Sequence, residues 1–255
     1  MSARRERRDK LLSRGVQAGF LLALIVLWYL GTTYWGVSHL LLPNPVKVWH
    51  ELRDVLSTGE FWPDLKVTLT ELAVAFCISS TSGVTLGYFI SRSPYAIRVF
   101  EPLLAGFYAV PIILFLPLYV LFFGLGPGSK IALGTTISFF PIVLNTIAGF
   151  GYVDKIFVTA ARSMGASDFQ MFRYVLLPAA FPVILTGLRI GFTVALLSIL
   201  GSETIASLAG LGHKIVHLAE AMETARMFAY IAFAVAIAAT LNTITSTLER
   251  RARRQ

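Results

Sequence analysis

The side chains able to do chemistry are few, and the most prominent is a carboxylate inside an apolar stretch. Glu203 lies in the run 181–208, whose other charged residue is Arg189. A carboxylate in such a segment is costly and is by default a functional candidate. Arg189 stands 14 residues earlier, about 21 Å away along a helix, so the two cannot pair within it. Two roles for Glu203 stay open: lining a polar path or gate, and pairing with another helix.

Weaker candidates for the same path or gate are Pro111, Asn145 and Ser207, together with Thr70 and Glu71. Pro111 frees a backbone carbonyl inside the predicted third apolar helix, which is tolerated where neighbours or water satisfy it. Asn145 lies in the fourth apolar run, where it could equally hydrogen-bond between helices. None of these residue types selects a substrate.

Neither a metal site nor a nucleotide site is expected. His213 and His217 are four residues apart with Glu220 one turn further, which suits a metal on a helix, but an ordinary surface helix explains the spacing more simply. The stretch GLGPGSK places Ser129 where a phosphate-binding loop needs its second glycine. We therefore expect a turn there, and no catalytic residue, metal or cofactor held by this chain.

The elements that carry these residues are typical of a membrane protein. Charged residues make up 14% of the chain and hydrophobic residues 56%, with a mean hydropathy of +0.70, whereas soluble domains carry about a quarter charged residues. A helix needs about 20 apolar residues to cross a bilayer. Charge-free runs of that length lie at 16–37, 72–91, 102–129, 131–153 and 227–248. With 181–208 they predict an all-α membrane protein of six transmembrane helices.

The positive charges predict the topology. With the N-terminus inside, 16 of the 22 Lys and Arg residues fall in inner segments and 6 in outer ones. This bias places both termini in the cytoplasm of a bacterial inner membrane and explains the net charge of +8 without a nucleic-acid partner. Basic tails at 1–15 and 249–255 then flank a membrane domain at 16–248.

A polar segment at 154–177, called the elbow below, separates the fourth and fifth predicted spans. Asp154 is placed to cap a helix from Lys155 to about Met164. Gly165 stands where that helix must end, because glycine adopts the left-handed conformation at little cost. The elbow is therefore predicted to begin with a short helix that stops at a glycine.

A second helix is predicted to follow at once. Ser167 and Gln170 match a capping box, and the helix is expected to end before Pro178, since the residue before a proline is restricted. The helix-glycine-helix unit is amphipathic. It suits a groove on a partner protein and equally a pair of helices lying on the membrane surface.

The elbow resembles the EAA signature of ABC-importer permeases. That signature is Glu-Ala-Ala, three residues, Gly, nine residues and Ile-x-Leu-Pro, and the spacing here is identical. The matching residues are Thr159, Ala160, Ala161, Gly165, Val175, Leu176, Leu177 and Pro178. Thr159 replaces the glutamate, which removes one polar contact to an ATPase, and Val175 replaces the isoleucine.

The resemblance extends over most of the chain. Stretches similar to permeases of the nitrate/sulfonate/taurine branch are LLPNPVKVW, VPIILFLPLYVLFFGLGPGSKI, FFPIVLNT, GLRIGF and GSETIASLAGLG. Relatives in that branch handle sulfonates, nitrate, bicarbonate, aromatic acids and vitamin precursors. The resemblance therefore implies a type I ABC importer permease fold and a small anion or organic compound as substrate.

The resemblance also implies partners. It implies a homodimer of permease subunits, two cytoplasmic ATPase subunits that hold ATP and Mg²⁺, and an extracytoplasmic substrate-binding protein. The residues it implies at the ATPase contact are Thr159, Ala160, Ala161, Arg162, Met164, Gly165, Ala166, Ser167, Asp168 and Phe169. The alternative is a secondary transporter, although such proteins often carry broken helices in paired positions and inverted repeats, which the sequence does not display.

Overall fold

The structure, a computed structural model, describes residues 2–34, 38 and 40–252. Within those ranges all regular structure is helical, which confirms the all-α prediction. The chain divides into two units, one of Met1–Phe61 with Ile215–Phe233 and one of Trp62–Lys214 with Ala234–Gln255. The elbow and Glu203 both belong to the second unit.

The helices follow one another with short connections. In chain order they are α1 (Ser2–Tyr34), α2 (Pro45–Thr58), α3 (Phe61–Ser91), α4 (Pro94–Tyr108), α5 (Leu116–Phe123), α6 (Pro127–Gly151), α7 (Lys155–Ser163), α8 (Asp168–Met171), α9 (Leu177–Ile205), α10 (Leu211–Glu220) and α11 (Thr224–Ala252). A 3₁₀ turn, Ile112–Phe115, precedes α5, and a π-helical turn, Phe172–Leu176, joins α8 to α9.

Five described helical segments are long and apolar enough to cross a membrane. They are Gly15–Tyr34, Phe61–Ser91, Pro127–Gly151, Asp168–Ile205 and Thr224–Thr247. A sixth span results if Pro94–Tyr108 and Ile112–Phe123, which meet at a bend of 72°, count as one. Five of the six predicted spans therefore have a matching helix, and the third has one only if the bent pair is counted as a single span. Residues 35–37 of the first predicted run lie outside the described residues.

The third predicted span is wrong in one respect, because it is not a continuous helix. The helix ends after α4, and Pro111 precedes the 3₁₀ turn at the 72° bend. Pro117 then occupies the first turn of α5, the one place in a helix where a missing N–H has no cost. Two prolines six residues apart thus end one helix and begin the next.

The second unit is organised around α6, which packs between α3 and α9. Ile142 of α6 lies between glycines on both neighbours: a Cβ at Gly83 would meet its Cγ2 at 2.9 Å, and one at Gly191 would meet its Cγ1 at 2.6 Å. Gly87 and Gly187 are equally close to α6, one turn away. Small residues four apart allow helices to approach closely in lipid, where packing rather than water drives association. These contacts fix α3, α6 and α9 as one bundle.

The first unit joins α1 and α2 to the start of α11. The indole Nε1 of Trp28 donates to the carbonyl of Pro43 at 3.0 Å, and its ring lies 6.0 Å from that of Phe228. Arg226 Nη2 donates to Glu60 Oε2 at 2.9 Å. These contacts connect α1 with Pro43 and with the start of α11, and the start of α11 with Glu60 after α2.

Candidate functional site

The first half of the elbow has the predicted geometry. The Asp154 carboxylate accepts the backbone N–H of Ile156 at 2.9 Å and caps α7. Gly165 follows with φ +78°, the left-handed conformation that a helix end favours in glycine. A Cβ at Gly165 would meet no atom within 4 Å, so the backbone angle alone requires glycine there.

The second half begins as predicted and ends differently. Ser167 N donates to Gln170 Oε1 at 2.8 Å, and Gln170 N donates to Ser167 Oγ at 3.3 Å, which confirms the capping box. The prediction that this helix stops before Pro178 is wrong, because Asp168–Ile205 is continuous. The π-helical turn just before Pro178 widens the helix where the proline lacks a donor and its ring needs room.

The elbow is anchored to the bundle by aromatic rings. Phe172 in the π-helical turn lies 5.2 Å from Tyr88 of α3 and 6.1 Å from Phe150 of α6, measured between ring centroids. Met171 beside it is buried. Phe169, which helical periodicity places with Phe172, instead faces outward. The anchor therefore holds the base of the elbow at Met171 and Phe172. The part around Met164 and Phe169, called the tip below, is left exposed.

The tip of the elbow presents apolar side chains to the outside. Met164 is 86% exposed and Phe169 71%. Beneath them lies a cavity of about 740 Å³ lined by Phe157, Ala160, Ala161, Met164, Tyr174 and Pro178, among others. The small side chains of Ala160 and Ala161 leave room for this cavity. Exposed polar residues lie near it in the elbow: Thr159, Arg162, Ser167 and Asp168. The structure thus brings the predicted contact residues together on one accessible surface.

A second group of polar residues is buried in the bundle. Five side chains form this group, called the acidic cluster below: Asp64, Thr68 and Glu71 of α3, Lys130 of α6 and Glu203 of α9. Glu71 and Glu203 are each 1% exposed, and Lys130 is fully buried. Sequence reasoning singled out Glu203 and Glu71 but missed Lys130, which was interpreted as part of an outer turn.

Glu203 is held by hydrogen bonds rather than facing an open cavity. Its Oε1 accepts the Thr68 hydroxyl at 2.7 Å, and its Oε2 accepts the Gly212 N–H at 2.7 Å. Thr68 Oγ1 in turn accepts the N–H of Leu211 at 3.0 Å. Of the two roles left open, this geometry corresponds to pairing with another helix. A role in gating stays a prediction.

Two glycines allow Glu203 to reach the turn at the start of α10. Gly210 adopts φ +105°, and a Cβ there would occupy the space of the Glu203 carboxylate. A Cβ at Gly212 would lie 2.7 Å from the Glu203 Cβ and 2.5 Å from the Leu200 carbonyl oxygen. The sequence SETIASLAGLG thus encodes a turn that folds back onto its own glutamate. We call Gly210–Gly212 the glycine turn.

The other predicted path residues are not gathered around Glu203. The Asn145 side chain donates to the Pro141 carbonyl within α6 at 2.8 Å, and Ser207 Oγ donates to the Ala209 carbonyl at 2.8 Å. Pro111 and Thr70 are exposed, Pro111 at the helix break and Thr70 on α3. Their assignment to the path stays a prediction.

Arg189 has a partner that sequence reasoning missed. Its Nη1 lies 3.1 Å from Oε2 of Glu249 in α11, and Thr186 Oγ1 donates to Glu249 Oε1 at 3.1 Å. The only available signal was that Glu249 is an acid next to a basic tail. Among the residues that the structure describes, no group of three or more His, Cys, Asp or Glu side chains has the arrangement of a metal site.

Comparison with known proteins identifies relatives over most of the chain. Residues 81–254 match the family model described as the binding-protein-dependent transport system inner membrane component. The taurine transport system permease protein TauC of Escherichia coli K12 is 34% identical over 91% of this chain and 86% of its own length. The riboflavin transport system permease protein RibX of Chloroflexus aurantiacus is 30% identical over 90% and 86%, respectively.

Solved structures share the fold. The chain superposes on an inward-facing structure of the MetNI methionine ABC transporter with a TM-score of 0.61 and 19% identity, over 73% of this chain and 93% of the other. An amino acid ABC transporter crystallised with histidines gives a TM-score of 0.61 and 23% identity, and the match covers 80% of this chain and 98% of the other.

Proposed function

This chain belongs to the binding-protein-dependent transport system inner membrane components, and from that premise we propose that it forms a solute path as a homodimer and is driven through its elbow. It has the type I ABC importer permease fold and falls in the nitrate/sulfonate/taurine branch that its sequence resembles. It is the permease component of an ABC importer. The secondary-transporter alternative is set aside because a family model matches residues 81–254.

The observation that supports coupling through the elbow is its exposed apolar tip. A group of exposed hydrophobic side chains such as Phe157, Met164 and Phe169, which are 60%, 86% and 71% exposed on one short segment, is typical of a surface that a partner covers. The cavity beneath it has alanines where a partner helix or loop would insert. We therefore assign the tip to a groove on each of two cytoplasmic ATPase subunits, which bind ATP and Mg²⁺ themselves.

The remaining partners follow from the family. A binding-protein-dependent system receives its solute from a separate protein outside the membrane, and this chain would accept it at the end of the bundle opposite the elbow. The exposed apolar residues of α5 and of the 3₁₀ turn before it, among them Leu114, Leu121 and Phe122, would face lipid or the second permease copy. No cofactor is assigned to this chain.

The proposed substrate is a small anion or organic compound. Relatives carry the names of taurine, aliphatic sulfonate, riboflavin and formylaminopyrimidine permeases. Sulfonates, nitrate, bicarbonate, aromatic acids and vitamin precursors form the range from which the solute is to be sought. Because the binding protein does much of the choosing in such systems, its ligand is the measurement that narrows this range.

Both termini are proposed to lie in the cytoplasm, on the same side as the elbow. The charge bias of the loops supports this orientation. The ion pair between Arg189 and Glu249 also supports it, because it joins the last part of α11 to the half of α9 nearer the elbow. A reporter fused to Gln255 is expected to be active in the cytoplasm, and an external signal would contradict the topology.

The test of coupling uses two substitutions at one position. Gly165→Val adds a β-branched residue at φ +78°, where it is strained, whereas Gly165→Asn adds a side chain that tolerates that angle. With the ATPase and binding protein reconstituted in vesicles, the valine variant should lose solute uptake or assembly while the asparagine variant keeps both. Equal uptake by the valine variant and wild type would overturn the proposal.

A further inference from the structure

The acidic cluster holds more buried negative charge than positive charge. Glu71 and Glu203 are two buried carboxyl groups, and Lys130 is the single buried Lys or Arg side chain among the described residues. Asp64, half-buried, adds a further negative charge near Glu203. Burying an unpaired charge is far more costly than burying a neutral polar group. One neutral carboxyl group would balance the charges of the two buried glutamates and Lys130.

The hydrogen bonds indicate which carboxyl group that is. Glu203 has a donor on each oxygen, the Thr68 hydroxyl on one and the Gly212 N–H on the other. Lys130 Nζ donates to the backbone carbonyls of Leu125 and Gly126. Neither oxygen of Glu71 has a donor among the described residues. Glu203 thus has the surroundings of a carboxylate, and Glu71 does not.

The polar group beside Glu71 is the Glu203 carboxylate itself. Two neighbouring carboxylates repel each other, but a protonated carboxyl group can donate to an ionised one and form a strong, charge-assisted hydrogen bond. Glu203 has acceptor capacity left, because a carboxylate offers about four lone-pair sites and two donors occupy it. A proton on Glu71 therefore removes the excess charge and supplies the missing hydrogen bond at once.

We infer that Glu71 is a proton-carrying positioning residue, whose carboxyl proton is shared with Glu203 and holds Glu203 against the glycine turn. The groups facing the pair are Lys130 from α6 and Asp64 and Thr68 from α3. Release of the proton to water leaves two facing anions, so the contact between α9, α3 and the glycine turn loosens. Where the native state binds a proton that the unfolded chain does not, stability falls as pH rises. The inference does not depend on the proposed function, because it concerns the proton and the stability of this chain alone.

The primary test is spectroscopic and needs neither substrate nor ATPase. Infrared spectra of the purified full chain, in a detergent without ester groups, are recorded at neutral pH in light and heavy water. Wild type should show the carbonyl band of a protonated glutamic acid, confirmed by its shift on labelling glutamate with ¹³C. Glu71→Gln should lose that band, whereas the exposed control Glu220→Gln should keep it. A wild-type spectrum without such a band would overturn the inference, whether or not any variant folds.

A second readout separates proton carriage from simple packing. The melting temperature of wild type should fall as pH rises and the pair loses its proton. Glu71→Gln should keep the neutral-pH melting temperature and be less sensitive to pH, because the amide donates to Glu203 permanently. If Glu71 were instead ionised and balanced by Lys130, Glu71→Gln would destabilise the protein at neutral pH and the band would be absent.

Discussion

The Glu203 carboxylate accepts the backbone N–H of Gly212, nine residues further along the chain, at 2.7 Å. The end of a membrane helix is thereby joined to the start of the next helix by one side chain. This contact requires glycine at position 212, because a Cβ there would lie only 2.7 Å from the Glu203 Cβ. The pair therefore gives a direct way to test what the carboxylate does.

Gly212→Ala is expected to displace Glu203 from the glycine turn. A methyl group forced into a filled space costs about 1–3 kcal/mol, and the melting temperature in detergent should fall. Gly201→Ala in α9, the helix that carries Glu203, is the matched control, because a Cβ there meets no atom within 4 Å. Equal melting temperatures for the two variants would show that the turn does not depend on this contact.

Glu203→Leu is expected to lower uptake in the reconstituted importer, since it removes the acceptor for Thr68 and Gly212 and leaves a buried N–H unpaired. An unsatisfied buried donor costs about 1–3 kcal/mol. Glu203→Gln keeps an oxygen acceptor and should lose less. Wild-type uptake by the leucine variant would argue against both a gating and a positioning role.

Gly187→Ala is expected to separate α9 from α6, because its Cβ would lie 2.5 Å from the Asn145 Cβ. Overpacking of this kind costs about 1–3 kcal/mol. Gly106→Ala, in the open part of α4, is the control and should be neutral or stabilising by up to about 1 kcal/mol. Thermal melting of both variants in the same detergent is the comparison required. If Gly187→Ala melts like Gly106→Ala, the close packing of α6 and α9 is not needed for stability.

Arg189→Ala is expected to destabilise the chain, because it removes the ion pair with the Glu249 side chain, which is 7% exposed. The loss should lie between the roughly 1 kcal/mol of an exposed pair and the roughly 3–5 kcal/mol of a broken buried pair, because Arg189 is 39% exposed. A double-mutant cycle with Glu249→Ala isolates the pair. Additive effects in that cycle would mean that the two residues act independently.

Met164→Asp is expected to reduce co-purification of the ATPase without lowering the melting temperature, since Met164 is 86% exposed and packs little in this chain. Tyr95→Asp is the control: Tyr95 is 72% exposed at the start of α4, outside the elbow. Retention of the ATPase by both variants would contradict a contact at the tip of the elbow.

The sequence predicts the spans and the elbow because their signals are local. Apolar runs, the glycine at 165 and the Ser167–Gln170 pair are signals that lie close together in the chain. Apart from the third apolar run, the structure has them where they were expected. The helix break at Pro111 and the continuous helix through Pro178 were mispredicted. A proline limits its neighbours, but the bundle decides whether the helix ends or widens to a π-helical turn.

The surroundings of Glu203 could not be predicted in the same way. Its partner Thr68 is 135 residues away, and nothing in either residue's local pattern indicates the other. Lys130 was assigned to a turn because glycines surround it, whereas packing of α6 against its neighbours buries it completely. Glu249 was missed for the same reason, since only the fold brings it beside Arg189.

The helical continuity of Asp168–Ile205 has a mechanical meaning. Its 38 residues span about 57 Å at 1.5 Å per residue, with Phe169 near one end and Glu203 near the other. No loop interrupts the helix between them, so a displacement of the elbow by the proposed ATPase contact would be carried along a single helix toward Glu203. The widened turn at Phe172, which packs against Tyr88 and Phe150, is the point about which such a displacement would pivot.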